Sequence, residues 1–288
     1  MGRTDKNRQY GTRRRRSDLI ETRSAEQCHR EPSLASGQPA QAGKFSSSRV
    51  SVPRISVVIT CFNQAAFLPE AIESVLNQTV PATEIILVDD GSTDETAKIA
   101  AAYPAIFYRW QKNQGLSSAR NSGIRAASGD FLVFLDADDR LLPTALESGL
   151  RCFEAYPDCA FVSGQHRRID CHGAVISLPE RIEIGTEPYL DFLRGNYIGM
   201  HATVMYRHWV FDVVGGYDTA LRASEDYDFY LRVARRCRVA QHDDLVAEYR
   251  RHSQNMSNDL DLMLTSVLSI LQSQAEHIGD DQRRSRVC

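Results

Sequence analysis

Five apolar residues, Phe131-Leu132-Val133-Phe134-Leu135, run straight into Asp136-Ala137-Asp138-Asp139. A short apolar run that ends in polar residues predicts a strand buried on both faces, the centre of a sheet. Side chains alternate along an extended backbone, so Asp136 and Asp138 point one way while Ala137 and Asp139 point the other. Two carboxylates side by side at the C-terminal edge of a buried strand repel each other. A divalent, oxygen-preferring cation such as Mg²⁺ or Mn²⁺ between them would relieve that repulsion. Open α/β sheets bind their ligands at that edge, so a metal-bound phosphate is the leading reading. The plainer one is that Asp138 or Asp139 caps a helix beginning at Pro143.

The rest of the chain supplies the sheet around that strand. Residues 55–60 are a β-branched strand. A helix follows Asn63, with Pro69 in its first turn and an apolar stripe at Leu68, Ala71, Ile72, Val75 and Leu76. Residues 84–88 form the next buried strand, and Ser92 and Glu95 have the spacing of a capping box for a helix reaching about residue 102. A short strand near 105–110, a helix at 117–127 and the central strand complete an alternation that predicts a doubly wound, mainly parallel α/β sheet. The second half is more mixed. Helices are expected at 143–153 and 225–236, the latter with Tyr227, Tyr230, Leu231 and Ala234 on one face. Strands are expected at 159–163, 167–176, 202–206 and within 238–249. Leu260, Met263, Leu264, Val267, Leu268 and Leu271 give a final amphipathic helix, expected to dock on the domain or on a second subunit to form a homodimer. Its other face is not basic, which argues against a membrane.

Composition narrows the class. The 288 residues are 42% hydrophobic and 25% charged, as in soluble globular proteins, and the net charge of −3 argues against nucleic acid as a partner. No apolar run approaches the roughly eighteen residues that cross a bilayer, and no signal-peptide core stands at the N-terminus. Seven cysteines, at 28, 61, 152, 159, 171, 237 and 288, include no CxxC pair and read as reduced thiols of a cytoplasmic protein. Residues 1–52 hold few apolar residues and the run Arg13 to Arg16, and are expected to be disordered. That run could touch anionic headgroups, at about 1 kcal/mol per charge, as a peripheral contact at the inner face of the plasma membrane. A solvated tail is the plainer reading. The domain proper is placed at 53–256, with a C-terminal helix and tail at 257–288.

Three polar clusters follow three apolar strands: Thr60-Cys61-Phe62-Asn63, Asp89-Asp90-Gly91-Ser92 and Asp136-Ala137-Asp138-Asp139. In a parallel sheet those ends share one edge, so the clusters should converge in one crevice. Between the second and third lies Asn113-Gln114-Gly115-Leu116-Ser117-Ser118-Ala119-Arg120-Asn121-Ser122-Gly123. Its small residues allow close helix packing, and Arg120 falls early enough to face the crevice, where an arginine suits phosphates and base carbonyls.

These four motifs, in this order and spacing, resemble family 2 glycosyltransferases of the GT-A fold, with the likeness spanning roughly residues 54–250. The resemblance implies a Rossmann-like nucleotide half, a mixed acceptor half and an inverting transfer from a nucleotide-diphosphate sugar, UDP-linked by preference. It implies nucleotide-sugar contacts at Thr60, Phe62, Asn63, Asp89, Asp90, Gly91, Asn113, Gly115, Arg120, Asp136 and Ala137, and a divalent metal on Asp136 and Asp138. Ser224-Glu225-Asp226-Tyr227-Asp228 is similar to the acidic motif where this family keeps its catalytic base, which points to Asp226. The same residues also suit the dipole of a helix start. Glu225, His201 and His252 are placed by the same likeness near the acceptor or the diphosphate. The acceptor would be a glycan or lipid-linked glycan, in surface polysaccharide assembly. Two other classes share the sheet: a nucleotidyltransferase, which would want the glycine-rich basic loop that Cys61-Phe62-Asn63-Gln64-Ala65 does not offer, and a binding module that has lost its base.

Overall fold

The computed structural model describes residues 52–284, so the expectation for the N-terminal tail lies outside the described residues. The first half alternates as expected: β1 (Ile55–Cys61), α1 (Leu68–Leu76), β2 (Glu84–Asp89), α2 (Thr96–Ala101), β3 (Ile106–Trp110), α3 (Leu116–Ala126) and β4 (Phe131–Asp136). The second half adds β5 (Arg140–Leu141), α4 (Ala145–Ala155), β6 (Cys159–Ile169), β7 (Val175–Ser177), α5 (Pro188–Arg194), β8 (Val204–Arg207), α6 (Val210–Val214), α7 (Glu225–Ala234), β9 (Arg238–Arg250) and α8 (Leu260–Arg284).

The strands join one sheet in the order β3-β2-β1-β4-β8-β6-β9-β5, with β7 paired to β6. From β3 to β4 all pairings are parallel. Beyond β4 the sheet turns mixed, because β8 runs antiparallel to both β4 and β6. The register sets Thr60 beside both Val88 and Asp136, and Cys61 beside Asp89. The three polar clusters therefore start at one level of one edge.

Burial explains why these strands read as continuous apolar runs. Val57, Ile59, Leu87, Val133 and Leu135 face one cluster with α1 and α4, while Val58, Val88, Leu132 and Phe134 face a second with α7. Each such side chain contributes about 1.5–3 kcal/mol by leaving water. Gly123 is needed where α3 crosses β1, since a Cβ there would come within 2.2 Å of Val58 Cγ1.

Five local expectations are corrected. Leu76 stands 40% exposed at the end of α1, so the buried stripe stops at Val75. Ser92 does not cap α2: its Oγ accepts from the Asn63 N–H at 2.9 Å, and Asp94 Oδ1 takes the Thr96 N–H instead, which starts the helix later. Neither Asp138 nor Asp139 caps α4, because β5 intervenes and pairs with β9 before the helix begins behind Thr144. The strands expected at 159–163 and 167–176 are largely one long strand, β6, paired along β9. Leu260, Leu264 and Leu268 are exposed on α8, while Val267 and Leu271 of the expected stripe pack against the core beside the buried Ile270. The described helices include none long and apolar enough to cross a membrane.

Candidate active site

The strand ends of β1, β2 and β4 open into a cavity of about 930 Å³. Its wall also takes residues from the loop before α3, the loop leading to α7 and the segment after β9. Thr60, Phe62, Asn63, Asp90, Asn113, Gly115, Arg120, Asp136, Ala137, Asp138, His201, Glu225 and Asp226 all line it.

At one end, loops are locked by backbone N–H groups. Asp90 Oδ2 accepts from the Gly115 N–H at 2.8 Å, and Oδ1 accepts from the Gln114 N–H at 3.0 Å and Gln111 Nε2 at 2.7 Å. Asn63 lies in the left-handed region (φ 55°), which lets its Oδ1 accept from the Thr93 N–H at 2.8 Å. Gly91 (φ +86°) lets β2 turn under the Asn113 backbone, where an added Cβ would sit 2.8 Å from Asn113 N. Asp89, expected to touch the nucleotide, is turned away from the cavity. Its carboxylate accepts from Tyr108 Oη and the Ser92 N–H, both at 2.7 Å, and is 1% exposed. Register puts successive residues on opposite faces, so Asp90 rather than Asp89 meets the cavity. Gly91 shapes the turn without lining the wall.

Arg120 does not reach for a ligand. It is 2% exposed, its Nη2 donates to both oxygens of Asp136 (3.0 and 3.1 Å), and its Nη1 pairs with Glu225. Thr60 Oγ1 also donates to Asp136 Oδ1, at 2.8 Å. Asp136 is thus neutralised by the protein itself, which separates it from its expected role as a metal ligand. The same arginine fastens β4 to the start of α7, where Ser224 adopts the left-handed region (φ 58°) and delivers Glu225 and Asp226 to the wall. Burial first, and then the neighbouring Glu225 carboxylate, push Asp226 up to about 7, against the opposing pull of Arg120 and of the Tyr227 N–H that its Oδ1 accepts. A carboxylate with that affinity for a proton is suited to take one near neutral pH.

Asp138 is the freer carboxylate of the strand edge. Burial and the Asp136 charge push its carboxyl above the usual range, and its Oδ2 lies 2.9 Å from His252 Nε2. The His252 ring stacks on Phe67 at 5.0 Å, and the Arg250 guanidinium lies over the same ring at 4.9 Å. Arg250, fully buried, donates to the Asp138 carbonyl at 2.8 Å, and its own N–H is accepted by Asp139 Oδ1 at 2.8 Å. His201 lines the cavity, but its Nε2 faces the hydroxyls of Tyr217 (2.9 Å) and Tyr206 (3.1 Å). Burial and the nearby Arg120 keep that imidazole neutral.

Phe67, Gln111 and Arg222 carry no signal in the sequence, while Tyr217 and Arg250 stand there only within runs, Gly215-Gly216-Tyr217-Asp218, which follows the family's pattern, and Arg250-Arg251-His252, which ends β9.

Comparison with known proteins bears on the family and the fold. The sequence profile described as Glycosyl transferase family 2 matches residues 56–213. The chain is 33% identical over 183 residues to a glycosyltransferase of Haemophilus influenzae, covering 62% of this chain and 61% of that one. It is 32% identical over 187 residues to a chondroitin synthase of Escherichia coli, covering 64% of this chain and 27% of that one, so it spans under two thirds of both relatives. Among solved structures it resembles TarS 1-349 of S. aureus in complex with UDP-GlcNAc, with a TM-score of 0.59, 21% identity, and coverage of 72% of this chain and 61% of that one.

Proposed function

The chain belongs to glycosyl transferase family 2 and has the GT-A fold, and on that premise we propose that it is an inverting glycosyltransferase that moves a sugar from a UDP-sugar to an acceptor hydroxyl. The observation that carries the proposal is the convergence, in one cavity, of a backbone-locked loop pair at Asn63 and Asp90, an under-neutralised carboxylate at Asp138 and a proton-seeking carboxylate at Asp226.

In this reading the uridine lies against the loops of Asn63, Asp90 and Gly115, and the diphosphate lies toward Asp138. Asp226 takes the acceptor proton on a carboxylate oxygen as the acceptor oxygen attacks the anomeric carbon. One displacement from the face opposite the leaving diphosphate inverts that centre. Arg120 holds Glu225 and Asp136 in place around the reacting sugar and does not move a proton.

The donor set suits a divalent ion. Asp138 and His252 offer a carboxylate and an imidazole 2.9 Å apart, beside an acidic cluster whose charge burial makes unfavourable. Among the described residues no group of three or more such side chains is gathered to enclose an ion, which fits an ion that draws its remaining ligands from a substrate diphosphate and water. When bound, the ion would offset the charge that grows on the leaving diphosphate. The relatives' names support a setting in polysaccharide or lipid-linked glycan assembly, and the five free thiols among the described residues support a reducing compartment.

The test is turnover of a panel of UDP-sugars with Mn²⁺. Release of UDP, lost in EDTA and lost in Asp138→Asn while UDP still binds, is the expected result. Full turnover in EDTA contradicts the metal, and a wild-type protein that neither binds UDP nor releases it contradicts the transferase.

A further inference from the structure

The cavity is acidic. Asp90, Asp136, Asp138, Asp139, Glu225 and Asp226 all line it, and the arginines in its wall among the described residues are Arg120 and Arg222. Arg120 is held by Asp136 and Glu225. Arg222 is exposed and, among the described residues, makes no ion pair or side-chain hydrogen bond, although six carboxylates line the same cavity. Water solvates its guanidinium, which leaves it free to pair with an anion that enters the cavity.

Its place in the chain says which ligand. Arg222 stands four residues before Asp226, on the segment that carries the base, and shares the wall with Thr219 and Asn196 from the acceptor half. The loops of Asn63, Asp90 and Gly115 and the Asp138–His252 pair come from other segments. The backbone under Arg222 is fixed: Ala223 is fully buried and Ser224 is held in the left-handed region. From that mount Arg222 lines the same cavity as Asp226. A neutral acceptor needs no cation there. An anionic one does, because it must approach a cavity with an excess of carboxylates.

We propose that Arg222 is an anion subsite for the acceptor, so that the sugar receiving the transferred residue carries a carboxylate or a phosphate. The inference rests on the transferase reading above and adds the acceptor's class. The guanidinium would meet either group through paired, charge-assisted hydrogen bonds.

The experiment measures binding of three probes to the UDP-saturated full-length protein by calorimetry: methyl β-glucoside, methyl β-glucuronide and glucose 6-phosphate. Wild type is expected to bind one anionic probe at least about tenfold tighter than the glucoside, as hydrogen bonds to a charged group allow. Which of the two it prefers separates a carboxylate acceptor from a phosphate one. Arg222→Ala should erase the preference and leave UDP affinity and melting temperature in place, while Arg222→Lys should keep part of it. No preference in wild type, including no detectable binding of either anionic probe, overturns the proposal. So does an Arg222→Ala protein whose UDP affinity falls by the same factor, which would make Arg222 a diphosphate ligand. Turnover of UDP-sugars is followed on the same preparation. Turnover without the preference sinks this proposal alone, and the preference without turnover sinks the transferase reading alone.

Discussion

The donor side and the acceptor side of the cavity are held by different physics. On the donor side, Asp90, Asp94 and Asn63 are satisfied by backbone N–H groups of Gln114 and Gly115, of Ala65 and Thr96, and of Thr93. On the acceptor side, Arg120 ties Asp136 to Glu225 at the start of α7. Backbone donors are present whatever side chains surround them, so such loops can form wherever the turn geometry is right. A buried ion pair needs both partners, because either one left alone is a desolvated charge. The donor half is therefore held by backbone groups of neighbouring loops, and the acceptor half by a charge pair 105 positions apart.

That contrast is easiest to break at Arg120. Arg120→Met keeps the bulk and leaves Glu225 without its cation in a site where it is 4% exposed. A loss of roughly 3–5 kcal/mol in urea denaturation is expected, as when one partner of a buried pair is removed. A loss under about 1 kcal/mol, the worth of a surface pair, would show that charge does not hold the acceptor half. The contrast is sharpened at Gly91, where the donor half depends on backbone shape alone. Gly91→Ala should cost about 1–3 kcal/mol through its positive φ and the approach to Asn113 N, and should weaken UDP binding. An unchanged melting curve would mean that the β2 turn is not constrained as described.

The same division decides what could be read from the sequence. Thr60, Asp90 and Asp136 stand at the C-terminal ends of apolar strands that pair in parallel, so pattern and topology together put them on one edge. The role of Arg120 could not be read, because the spacing that turns it toward the cavity says nothing of Glu225, 105 positions later, which claims its guanidinium. Both Asp89 and Asp90 were expected at the nucleotide, and only Asp90 meets the cavity, because Asp89 is taken by Tyr108 of the neighbouring strand. Ser92 and Glu95 had the spacing of a capping box, but tertiary demand from Asn63 took the serine. On α8 the leucine stripe was visible, yet which face packs depends on the body it meets. Residues 260, 264 and 268 stand outward.

The central claim is that Asp226 accepts the acceptor's proton in a cavity that binds the nucleotide independently of it. The most direct test is the pH dependence of UDP-sugar turnover for wild type and Asp226→Asn, with UDP affinity measured on the same preparations. Asp226 is active when deprotonated and is pushed up to about 7, so wild-type turnover should rise with pH through that value and level off above it. Asp226→Asn should bind UDP as wild type does, turn over about 10²–10⁴-fold more slowly, and lose that limb. An Asp226→Asn protein that works at the wild-type rate, or that keeps the same limb, would contradict the assignment.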